Sequence, residues 1–137
     1  MNGRTFPKDP ERVASALRSR LAAYQTCPEL LDASEALLRL VLWSSAQLLG
    51  EEGARAVLLR SIRSAASRAP IATTIRVTEH GVDLGEMRAL FPGPECDSDG
   101  VLGVVTEVGV AVFGTLEQLT GGVISEPLLQ RIEAGKL

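Results

Sequence analysis

GVLGVVTEVGVAVFG, residues 100–114, is rich in valine like a buried strand, nearly apolar enough for a membrane, and punctuated by glycine. Its reading decides the fold. Placed on a wheel at about 100° per residue, residues 100–120 sort into two sides. Val101, Leu102, Val105, Val108, Val112, Phe113, Leu116 and Leu119 fall within about 140° of one another. The opposite arc holds Gly103, Thr106, Glu107, Ala111, Gly114, Glu117 and Gln118. A strand reading mixes apolar and polar residues on both alternating faces and is too long for a single strand. Glu107 in the middle weighs against a membrane span. The stretch therefore predicts an amphipathic helix roughly 30 Å long, at about 1.5 Å per residue.

Glycine is the unusual ingredient. Gly103, Gly109 and Gly114 all lie inside this helix, and each costs about 0.8–1.0 kcal/mol relative to Ala. Gly103, Val110 and Gly114 line up away from the bulky arc. A smooth stripe of that kind admits a second backbone, so these three residues are the candidate interface. The competing expectation is that the stripe packs under another part of the same chain.

Working towards the N-terminus, Asp83 with Glu86 forms a capping pair for a short helix through Leu90, closed by Pro92-Gly93-Pro94. Ile75 and Val77 alternate with polar residues, and His80-Gly81 could turn a short hairpin near 73–84, if the segment does not stay a loop. Glu51 and Glu52 open a helix reaching Arg68, with Ala54, Val57, Leu58, Ile62 and Ala65 on one face. Before it, Asp32 and Glu35 cap a helix ending at Gly50. That helix carries Leu37, Leu38, Leu40, Val41, Leu42, Trp43, Leu48 and Leu49 on nearly every side, the pattern of a helix surrounded by others. Asp9-Pro10-Glu11 starts the first helix, with Val13, Ala16, Leu17, Leu21 and Tyr24 at helical spacing. Beyond Gly121-Gly122, Ser125, Glu126 and Pro127 begin a last helix with Leu128, Leu129 and Ile132. The fold expected is mainly α: a single-domain bundle of five or six helices over residues 1–137, with 1–8 as a flexible N-terminus.

LGEEGARAVLLRSIRSAASRAP (49–70) with LEQLTGGVISEPLLQRI (116–132) resembles a group of small helical bacterial proteins of unknown function. The shared features are the Leu-Gly-x-x-Gly start, the basic Ala-rich helix and the Leu-rich terminal pair, over about half the chain. The resemblance implies a helical fold and brings no functional residues with it.

Chemistry is sparse. His80 is the sole histidine, which excludes any two-histidine acid–base or metal pair, and a residue beside a turn glycine is usually just a turn residue. Cys27 and Cys96 lack paired metal spacing and are too few for a disulfide framework; the expectation is two buried or loop thiols rather than a zinc set with His80. Glu95-Cys96-Asp97-Ser98-Asp99-Gly100 imitates part of a calcium loop. It fails at the first position, which is Glu, and at the twelfth, which is Thr106. Asp97, Ser98 and Asp99 read better as a cap for the long helix. No phosphate loop appears, since GEEG lacks the required spacing and Lys. No serine or threonine has a recognisable basic partner.

Net charge is −3 but uneven. Residues 1–76 carry eleven Lys and Arg against seven acids (+4), and residues 77–137 carry three against ten (−7). Such a chain can dock its own halves or pair with another copy. Arg60 and Arg63 share a helix face, with Arg39, Arg55 and Arg68 candidates to join them at an anion or partner contact. The acidic total weighs against nucleic acid. With no signal-like start or 18-residue apolar run, a cytoplasmic protein without a membrane partner is expected. The function expected is a non-enzymatic, self-associating or partner-binding regulatory module without cofactor or metal. The alternatives are a sensor holding a small apolar molecule between its helices and weak nucleic-acid binding through Arg60 and Arg63.

Overall fold

In the computed structural model, which describes residues 10–93 and 95–135, the chain forms five α-helices and one small hairpin. The elements are α1 (Pro10–Leu21), α2 (Cys27–Ala66), β1 (Arg76–Thr78), β2 (Gly81–Asp83), α3 (Gly85–Leu90), α4 (Ser98–Thr120) and α5 (Gly122–Glu133), with a 3-10 turn at Pro70–Thr74 after α2. This is the mainly α bundle with a short hairpin that the sequence predicts. Residues 1–8, and Asp9 as a cap, lie outside the described residues.

The Val-Gly stretch is helical throughout, within α4. Asp97 caps it, its Oδ1 accepting from the Gly100 N–H at 3.0 Å, so the acidic loop serves the helix end as expected. Val101, Val105, Val108, Val112, Phe113 and Leu116 are buried. Two assignments change. Leu119 is 59% exposed, and Thr106, placed on the polar arc, is buried. By length and composition α4 could cross a membrane. Here one side of it forms the core, while Glu107 on the other side pairs with Arg68 at 3.0 Å.

Helix α2 starts earlier than its sequence suggests. Thr26 is the N-cap, its Oγ1 accepting from the Glu29 N–H, and Pro28 stands in the first turn. Asp32 and Glu35 are thus interior residues rather than a capping pair. Gly50 breaks the helix with φ 78°, ψ 168°, a left-handed φ that favours glycine. In a straight helix Arg39 and Arg55 would stand about 24 Å apart, yet both line one cleft. The chain therefore folds back at Gly50, and residues 27–49 and 51–66 form two arms. The predicted stop at Gly50 and the buried face of Ala54, Val57, Leu58, Ile62 and Ala65 both stand.

α2 and α4 form the centre, with α1 and α5 packed against α4. Where α1 crosses α4, Gly109 has a structural reason: a Cβ there would lie 2.5 Å from Leu17 Cδ1. The two-residue Glu79-His80 turn joins β1 to β2, with Val77 opposite Val82 and Gly81 at φ 115°. Part of the uneven charge is met within the described residues. Arg12 reaches Glu133 at 2.8 Å and Glu126 at 3.7 Å, and Arg68 reaches Glu107, so cations of the first half meet acids of the second.

Candidate interaction surfaces

Several polar groups are committed to holding elements together. Glu35, nearly buried on α2, accepts from the Leu84 backbone N–H at 2.8 Å and from Arg88 at 3.0 and 3.1 Å. Arg88 also donates to Asp32 at 2.8 Å, and Arg39 donates to the Val82 carbonyl at 3.0 Å. This network fastens the hairpin and α3 onto the first arm of α2. Hydrogen bonding from Arg88 holds the Glu35 carboxyl below its ordinary value, helped by the Leu84 N–H and opposed by burial; its carboxylate in turn raises Arg88. A carboxylate bound to a permanent cation and a backbone donor acts as a clamp between the elements that carry them. Ser125 Oγ donates to Glu117, tying the first turns of α5 to the end of α4.

Cys27 and Cys96 correct the sequence reading. They are bonded to one another as a disulfide with Cα atoms 5.5 Å apart, joining the first turn of α2 to the residue before the α4 cap. Local spacing could not reveal this, because the partners are 69 residues apart and meet only when α2 and α4 pack. His80 lies on the hairpin turn with its side chain 88% exposed. No group of three or more potential metal ligands gathers among the described residues.

Arg60 and Arg63 are exposed on the second arm of α2, and neither makes an ion pair or hydrogen bond among the described residues. The larger arginine group does not assemble around them. Arg39 is held by Val82 and Glu35, Arg55 approaches Glu51 at 3.9 Å, and Arg68 is held by Glu107.

Gly103, Val110 and Gly114, the residues of the expected interface, lie along one strip of α4. Gly103 is exposed, and Val110 and Gly114 are half-buried. A Cβ on Gly103 or Gly114 would have nothing within 4 Å. Val110, between them, packs partly against the core. A shallow cleft beside the strip runs between Gly103, Glu107 and Val110 on α4 and Pro10, Ala14 and Arg18 on α1.

A second surface was misread from sequence. The first arm of α2 is not enclosed on all sides: Trp43 is 60% and Leu48 56% exposed. Val123, at the start of α5, is 67% exposed. Trp43 forms a ridge between two open clefts. One, of about 460 Å³, runs between α2 and the hairpin turn and is lined by Arg39, Leu42, Glu51, Arg55 and Glu79. The other, of about 340 Å³, runs between α2 and α5 and is lined by Leu48, Val123, Pro127, Leu128 and Arg131. The run of apolar residues at 37–49 hid this surface, because a helix apolar all round reads as fully buried. Comparison with protein-family models, with curated proteins and with solved structures finds no match for this chain.

Proposed function

We propose that this protein is a non-enzymatic helical module that acts by binding protein, and that it self-associates. The observation that carries the reading is the exposure of Trp43, Leu48 and Val123 on adjoining elements, in a chain whose other large apolar side chains mostly reach the core. A clustered apolar surface rimmed by polar residues marks an interaction site more often than a solvated face. The clamp-like engagement of Glu35, Arg88 and Glu117 supports a binding role over a catalytic one.

The strip of Gly103, Val110 and Gly114 supports a second placement of the contact. Both glycines are costly in a helix, and close approach by another backbone would offset that cost. Arg60 and Arg63 provide a basic accessory contact for an acidic partner. Sedimentation velocity from low to high micromolar concentration tests the reading: a concentration-dependent dimer is expected. Gly114→Leu should weaken that dimer if the α4 strip carries the contact, with helical content unchanged. A monomer throughout the range would overturn self-association.

A further inference from the structure

We infer that the Trp43 surface is the docking site for a second copy of this chain, paired about a two-fold axis that runs between the Trp43 ridge and the cleft beside it. The inference rests on self-association and names the surface that performs it. Trp43 of each copy seats in the cleft between α2 and α5 of the other, against Leu48, Val123 and Pro127.

Shape supports this occupant. An isologous contact needs a protrusion and a recess on the same patch, so that each copy serves both roles. The Trp43 ridge and the adjoining cleft of about 340 Å³ meet that requirement.

Area supports it as well. Full burial removes about 150–250 Å² for an aromatic residue and about 60–120 Å² for Leu or Val, judged from their transfer energies. At the exposures observed, Trp43, Leu48 and Val123 together offer roughly 165–300 Å². An interface at the small end of the stable range covers about 500–600 Å² per partner, of which about 56–65% is apolar. The three side chains supply a large part of that apolar share, and exposed Pro127 with half-buried Leu42 adds to it.

Trp43 is the sole tryptophan in the chain, so its fluorescence reports this surface directly. Across the concentration range in which sedimentation shows a dimer forming, emission should shift to the blue and acrylamide quenching should fall. Val123→Glu keeps the fluorophore and should weaken the dimer at least about 30-fold, the effect of losing a central anchor. Trp43→Ala should do the same by sedimentation. Both positions are exposed, so circular dichroism should show both variants folded. A dimer in which Trp43 stays open to quencher, insensitive to Val123→Glu and weakened by Gly114→Leu, would overturn this surface and leave self-association standing. A monomer at every concentration would overturn both.

Discussion

Opening the Cys27–Cys96 bridge should produce the largest stability change available at a single linkage in this protein. The bond closes a loop of about 70 residues between the start of α2 and the start of α4. Loop-closure entropy for that length gives about 15 cal/mol/K, or about 4.4 kcal/mol at 25 °C. Cys27 is 2% exposed, so Ala is a better replacement than Ser, which would bury a hydroxyl. The double variant Cys27→Ala/Cys96→Ala should therefore unfold with a loss of about 4 kcal/mol. At roughly 2.1 cal/mol/K per residue, the unfolding entropy of a chain this size converts that loss to a fall in Tm of about 14 °C. The assay is urea unfolding followed by circular dichroism, with and without a thiol reductant. Reduced wild type should overlay the double variant, and the m-value should rise because the unlinked unfolded chain exposes more surface. The same deficit would apply wherever a reducing cytosol opened the bond, while an oxidising compartment would keep it closed. Coincident oxidised and reduced curves, or two titratable thiols in the unreduced folded protein, would refute the reasoning.

Other expectations follow from particular residues. The Glu35 carboxyl is held below its ordinary value of 4.5, chiefly by Arg88, so its contribution is present above that pH and lost as pH falls through the lower folded value. Glu35→Gln should flatten the acid limb of a stability–pH curve and cost about 2–3 kcal/mol at neutral pH; an unchanged acid limb would count against the clamp. Gly103→Ala and Gly114→Ala should each stabilise the monomer by about 0.5–1 kcal/mol, whereas Gly109→Ala should destabilise it by about 1–3 kcal/mol through the clash with Leu17. Thermal melts of the three variants check this, and equal effects would remove the distinction between open and packed glycines. Asp97→Ala should cost about 1 kcal/mol as a lost cap, and calorimetry with millimolar calcium should show no saturable heat; a signal abolished by Asp97→Asn would reinstate the calcium loop.

The sequence by itself determined whatever depends on local periodicity and local hydrogen bonding. The arc of Val101, Val105, Val108, Val112 and Leu116 repeats at the helical period, which is enough to separate helix from strand. Asp97 can serve the α4 N-terminus from three residues away, and Gly50 tolerates a positive φ whatever lies around it, so a cap and a break were both legible. The hairpin was legible too, because alternation and a turn glycine occupy one short segment.

Tertiary structure alone decided which apolar residues stay outside and which distant groups meet. Nothing in residues 37–49 distinguishes Trp43 and Leu48 from buried Leu37 and Leu38, since each is an apolar residue on a helix; only the packing of the other elements around α2, α4 first among them, determines which side is covered. Gly103 and Gly109 look alike in sequence, yet one faces open space and the other faces Leu17 of α1. Glu35 read as a helix cap until α3 brought Arg88 to it. The two cysteines became partners in the same way: a 69-residue separation carries no spacing signal, and the packing of α2 beside α4 brings their sulfurs together.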